Sequence, residues 1–271
     1  RERHLGIIQS YLSDELGQSI TIQLESTGRE KPAAAPSEGV NIPVPTIVEV
    51  PTRFTPNPKF QFDTYVVGQS NRLAVAGAKN VAESPGQKFN PLFIYGPSGL
   101  GKTHLLHAIA SEILKRDPDF PLVYMSAQQF AEDFINAIQS NRVDQFRRQT
   151  RPVGLWLLDD IQFIAGKDRT QEEFFHTFNH LHSMGKQIVI TSDKPPRELF
   201  MMEERLRSRF ESGLVADIQM PDTETRCAII KKKAIAEQID LDQQVAMSLA
   251  EHVPGTIRVV EGALTKLTVQ A

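Results

Sequence analysis

Gly96, Gly101, Lys102 and Thr103 stand in the order G-x-x-x-x-G-K-T within the stretch GPSGLGKTHLLH. Residue types at that spacing bind phosphate. Glycines, Gly99 among them, let backbone N–H groups converge on anionic oxygens, and a helix opening at the lysine adds the partial positive charge of its N-terminus. Lys102 then reaches the β- and γ-phosphates of ATP or ADP, and the Thr103 hydroxyl ligates Mg²⁺. The apolar run LFIY leads straight into Gly96, giving the strand, loop and helix context that the pattern requires. His104 and His107 read as helix packing beside the loop. His104, adjoining Thr103, is also counted with the nucleotide-binding residues.

A second apolar run, LWLLDDIQF, ends in Asp159 and Asp160. A buried strand that delivers two carboxylates beside a phosphate loop suits Asp159 to the Mg²⁺ shell and Asp160 to orienting the attacking water. Two acids that end a strand at a solvated turn are the competing reading. A third run, QIVITSD, ends in Thr191, Ser192 and Asp193. From a neighbouring strand, a polar residue there could touch the γ-phosphate or its water, although a helix cap fits as well.

EERLRSRF places Arg205 and Arg209 four apart on one helix face, with Arg207 off it. An arginine offered to a neighbouring subunit would neutralise the charge that develops in phosphoryl transfer. The spacing alone fits a solvated charged helix better. In GTIRVVEGAL, Arg258 stands among apolar residues, where it could fold down onto nucleotide phosphates. Glu172, His176 and His180 recur every four residues, a spacing able to hold a metal on a helix, although a metal site is not expected there. Read together, these residues describe a nucleotide-driven switch without an acceptor pocket for a small substrate.

Positioning such residues requires strands that end at one edge. From about Lys59 short apolar runs alternate with amphipathic segments (LFIY, LVYM, LWLLDD, QIVIT, LVADIQM), which predicts an α/β fold with a mostly parallel sheet covered by helices on both faces. Beyond Pro221 three helical segments predict a small all-helical lid. The opening residues read differently. Leu5, Ile8, Leu12 and Leu16 mark one helix face, and Ile20, Ile22 and Leu24 alternate as a strand, the α+β remnant of a small domain. The Pro- and Ala-rich stretch that follows reads as a disordered linker. The expected divisions are 1–25, 26–56, a core at 57–220 and a lid at 221–271. Because the chain starts with Arg and stops inside a helical pattern, a fragment is expected.

With 271 residues, 40% of them hydrophobic and 23% charged, the composition is that of a soluble globular protein. The longest apolar runs fall far short of the roughly 20 residues that cross a bilayer. One cysteine, Cys227, excludes a disulfide framework and a thiolate metal site, which fits a reducing, cytoplasmic setting. At a net charge of −3, nucleic acid would have to be bound by a local basic patch.

NPLFIYGPSGLGKTHLLHAI, LLDDIQFIAGKDRTQEEFFHTFN, QIVITSDKPPREL, ERLRSRFESGLVADIQMPDTETRCAII and RVVEGAL together resemble the bacterial chromosomal replication initiators, a branch of the AAA+ ATPases. The likeness runs from about Asn57 to Ala271. It implies that Asp193 is the first sensor, Arg209 the arginine finger, Arg258 the second sensor and Arg205 an accessory interface residue. The stretch SAQQFAEDFINAIQSNRVDQFRRQ resembles the helix pair that forces ATP-bound initiators into an open spiral. By that resemblance Ile135, Lys167 and Arg169 match the positions that contact single-stranded DNA, where cations pair with phosphates and an apolar side chain packs on sugar or base.

Further partners implied by the family are origin DNA, other copies of the chain in a helical filament, the replicative helicase through the N-terminal domain, and acidic phospholipids. The chain departs from the family at Pro97 and Ser98, where Gly and a variable residue are common. It departs again at Val259 and Val260, where Glu-Leu is usual. A fragment without the family's C-terminal helix-turn-helix domain is expected, so duplex origin boxes should not be recognised by this chain alone. A related regulator or helicase loader without duplex recognition is the alternative, and an ordinary phosphoryl-transfer enzyme a more distant one.

Overall fold

The computed structural model describes residues 54–151, 153–252, 256–259 and 262. The expected N-terminal remnant, all but the end of the expected linker, and most of the expected third lid helix lie outside the described residues.

Five strands form one sheet: β1 (Leu92–Tyr95), β2 (Leu122–Ser126), β3 (Leu155–Asp159), β4 (Gln187–Ser192) and β5 (Leu214–Asp217). They lie in the order β2-β3-β4-β1-β5 with every neighbouring pair parallel. All five correspond to the apolar runs of the sequence. The last is shorter than the run LVADIQM, since the strand stops at Asp217.

Side chains alternate across a sheet, and here both faces are buried. Leu92, Ile94, Leu155, Leu157 and Val189 enter one core, while Phe93, Trp156, Leu158, Ile188 and Ile190 enter the other. That is why the runs are continuously apolar. Helices α1 (Arg72–Glu83) and α2 (Lys102–Arg116) cover the first face. The second is covered by α3 (Ala127–Gln139), α4 (Val143–Thr150), α5 (Asp168–Ser183) and α6 (Glu204–Glu211). Trp156 stacks on Phe174 at 5.1 Å, and Phe130, Phe178 and Phe210 surround the pair. Truncating such a ring costs about 3–5 kcal/mol.

Local signals set the helix starts. Ser126 caps α3 by accepting from Gln129 N at 3.0 Å. Asp222 caps α7 (Thr223–Ala236) by accepting from Thr225 N at 2.7 Å. Each cap contributes about 1 kcal/mol. Helix α4 is tied to α5 by ions: the Glu173 carboxylate, 3% exposed, accepts from Arg147 Nη2 at 2.6 Å and Arg151 Nη2 at 3.1 Å.

After β5 only helical segments occur among the described residues. Helices α7 and α8 (Gln243–His252) pack through Cys227, Ile230, Ala246 and Ala250. The segment after β5 bears on the core through several described contacts. Lys232 Nζ donates to Asp63 O, Lys59 pairs with Glu237 at 3.6 Å, and Ile257 N donates to Gly99 O at 3.1 Å.

Candidate nucleotide-binding site

The C-terminal ends of β1, β3 and β4 are adjacent, so what each strand carries at its end meets what its neighbours carry. Phosphate ligands bind at this edge in open parallel sheets. The loop after β1 begins at Gly96, whose φ is 154°, and a Cβ there would lie 2.1 Å from Ile218 O. Only glycine fits. The loop closes at Gly101 in the left-handed region, and α2 starts at Lys102.

Lys102 is buried and curls back under the loop. Its Nζ donates to Gly96 O at 2.6 Å, Pro97 O at 3.2 Å and Asp193 Oδ1 at 2.6 Å, which matches the three donors of an ammonium group. The Asp159 carboxylate is held from three sides. Oδ2 accepts from Thr103 Oγ1 at 2.7 Å and Tyr124 OH at 3.1 Å, and Oδ1 accepts from Thr191 Oγ1. Burial, followed by the charge of Asp159, pushes the Tyr124 phenol up, so it stays a donor. Thr103 Oγ1 and Asp159 Oδ2 form a pair of hard oxygens beside the loop. Such a pair suits Mg²⁺, which takes few protein ligands and fills its shell with water and phosphate oxygens.

Asp160 has φ 58° and ψ 58°, a left-handed conformation that costs most residues about 1 kcal/mol or more and that Asp and Asn tolerate best. Its N–H donates to Thr191 Oγ1 at 2.9 Å. Burial, reinforced by the neighbouring Asp159 and Asp193 charges, raises its carboxyl above the usual range, while the Gln162 hydrogen bond and Lys102 oppose that rise. Gln162 bridges outward: Nε2 donates to Asp160 Oδ1 and Asp193 Oδ2, both at 3.2 Å, and Oε1 accepts from Asp193 N at 3.3 Å.

Arg258 Nη1 donates to Ser98 Oγ at 3.2 Å, which sets the arginine of the lid over the loop. Both sequence departures in the loop thus make contacts, Pro97 through its carbonyl to Lys102 and Ser98 through its hydroxyl to Arg258. A Cβ at Gly99 would lie 2.9 Å from Thr256 Oγ1 and 3.3 Å from Arg258 Cδ.

The two histidines face residues 54–65. His104 Nε2 bonds Gln61 O at 2.8 Å, and its ring stacks on Phe60 at 4.9 Å and meets Tyr65 edge-on. His107 Nδ1 accepts from Asn57 N at 3.0 Å, and burial lowers its pKa against the pull of Asp159, which suits an acceptor nitrogen. Phe54 stacks on Tyr124 at 4.7 Å.

Away from the loop, Ile135, Ile138, Lys167 and Arg169 line one groove of about 540 Å³, with Phe134 at its base. Ile135 and Ile138 are 44% and 40% exposed, which leaves apolar surface beside two cations. The three positions expected to contact a strand are therefore brought together from α3 and the start of α5. Arg209 is exposed on α6 and joins neither set of residues through its side chain. Arg205 is engaged within its own chain, bonded to Glu203 and lying 4.2 Å over the Phe175 ring. Glu172 and His176 stand 4.0 Å apart, both exposed, on α5.

Sequence reasoning missed two residues of the site. Tyr124 carries no signal in its run, because its partnership with Asp159 depends on β2 pairing with β3. Gln162 carries a faint one, as the polar residue inside the apolar turn IQFI directly after the two acids.

A five-stranded parallel sheet with this loop, these strand-end carboxylates and a helical lid defines a phosphate-loop ATPase of the AAA+ class. More narrowly, the chain belongs to the bacterial DnaA ATPase domain family, whose profile matches residues 56–217. It is similar to domain III of the Thermotoga maritima replication initiation protein DnaA, at 42% identity and a TM-score of 0.77, covering 80% of this chain and 90% of that one. A replication initiator DnaA bound to AMPPCP and single-stranded DNA matches at 40% identity and a TM-score of 0.74, over 79% of this chain and 66% of that one. AMPPCP-bound DnaA from Aquifex aeolicus matches at 39% identity and 0.74, over 79% and 67%. The chain thus spans about two thirds of the length of these two longer structures. Among the described residues no helix is long and apolar enough to cross a membrane.

Proposed function

We propose that this chain is the ATP-controlled assembly module of a chromosomal replication initiator. ATP binds between core (57–220) and lid (221–271), with Lys102 on the β- and γ-phosphates, Thr103 and Asp159 on Mg²⁺, and Arg258 folded onto the phosphates. Asp160 orients the attacking water, Asp193 senses the γ-phosphate, and Arg209 reaches the γ-phosphate of the adjoining subunit, with Arg205 supporting that interface. The resulting filament holds single-stranded DNA through Ile135, Lys167 and Arg169, and hydrolysis switches it off.

One observation carries this reading. Two cations and an exposed isoleucine, distant in sequence, share a groove separate from the nucleotide site. Cations beside an apolar contact suit phosphate and base together. The similar initiator described as bound to both AMPPCP and single-stranded DNA supports the pairing of the two ligands. Helicase contact through residues 1–25 and binding of acidic phospholipids follow from family membership as further proposals.

The deciding experiment is binding of a fluorescent single-stranded oligonucleotide with ATP and with ADP, for the chain and for Arg209→Ala and Lys167→Ala. ATP-dependent binding lost in both variants is expected, because one removes the subunit contact and the other a strand contact. Tight ATP binding without any DNA binding would instead favour a regulator or helicase loader.

A further inference from the structure

We propose that Gln162 is a positioning residue of the ATPase reaction, its side-chain amide clamping the Asp160 and Asp193 carboxylates so that the two are aimed as a unit. This rests on the roles of Asp160 and Asp193 proposed above. Two carboxylates brought together by the strand order repel each other, and their orientation needs a neutral donor between them. Gln162 supplies it. Both hydrogens of Nε2 are committed, one to each acid, at 3.2 Å. The bond from Asp193 N to Oε1 fixes which end of the amide is the donor.

The anchor is rigid. Gln162 lies in a 3-10 turn whose Ile161 and Ile164 are fully buried, so the amide cannot drift without disturbing the core. Asp193 divides its two oxygens, giving Oδ1 to Lys102 and Oδ2 to Gln162. Once Lys102 turns to a nucleotide's phosphates, the amide is the side-chain donor left to Asp193. The clamp therefore matters most with ATP bound. Its loss should be felt in turnover more than in binding.

The test uses the full chain with Gln162→Leu, Asp193→Asn and the double variant, measuring ATP affinity and the hydrolysis rate at saturating ATP. Gln162→Leu should slow hydrolysis about tenfold and leave ATP affinity within about twofold. With Asp193→Asn already present, the charge repulsion is gone, and the same substitution should cost less than about threefold more. An undiminished tenfold loss in the double variant would mark a merely structural role, and no loss in the single variant would overturn the clamp outright. Should Gln162→Leu fail to fold, the isosteric Gln162→Glu replaces it: it removes the donor, adds a third charge, and must slow hydrolysis at least as much. If Asp160→Asn and Asp193→Asn leave hydrolysis unchanged, the proposed site roles fail. If those two slow it while Gln162→Leu does not, only the clamp fails.

Discussion

Lys102 Nζ and Asp193 Oδ1 are 2.6 Å apart, an ion pair that joins the helix after β1 to the end of β4. The lysine is 6% exposed and the acid 41%, so the pair sits at the mouth of the site. Lys102→Ala should weaken ATP binding by about a hundredfold or more, since the proposed charge-assisted phosphate contact disappears. Stability should fall by less than about 1 kcal/mol, because Asp193 can be hydrated. A fluorescent nucleotide titration beside a thermal melt separates the two effects.

Arg258 hydrogen-bonds the loop through Ser98, and both residues are exposed. Arg258→Ala should leave the melting temperature within about 2 °C. Hydrolysis at saturating ATP should drop about tenfold if the cation proposed to face the phosphates is lost. Single-turnover hydrolysis is the check, and an unchanged rate would remove Arg258 from the site.

In the groove, Ile135 and Lys167 should fail in different ways. Lys167→Ala removes a proposed phosphate contact and should lower the slope of log affinity against log salt by about 0.7. Ile135→Ser should weaken single-strand binding by about 1 kcal/mol or more while leaving that slope unchanged, because it deletes an apolar contact and no charge. Titrations at several salt concentrations distinguish them.

Glu173 makes stability depend on acid. Burial pushes its carboxyl up, but the hydrogen bonds and charges of Arg147 and Arg151 outweigh that and hold it below the usual range. With the folded-state pKa depressed, its contribution is complete above the ordinary glutamate range and is lost as pH falls through the folded value. Glu173→Gln should cost about 2 kcal/mol at neutral pH. The gap between variant and parent should close on the acid side, which melts from neutral to acid pH would display.

Much of this site was legible in one dimension. The strand types followed from apolar runs that only a sheet buried on both faces needs, and the phosphate loop from glycines and a lysine whose spacing is fixed by backbone geometry. The acids at the strand ends followed from position within each run. Such features are local, and local chemistry is written in order along the chain. The arrangement in space is not. Strand β4 inserts between β3 and β1, and that order alone brings Thr191 to Asp159 and Asp193 to Lys102. Pairing of β2 with β3 recruits Tyr124, and the packing of α3 beside the start of α5 unites Ile135 with Lys167 and Arg169. Those contacts join residues tens of positions apart, where the choice of neighbour is made by burial of the whole core and not by any stretch of sequence.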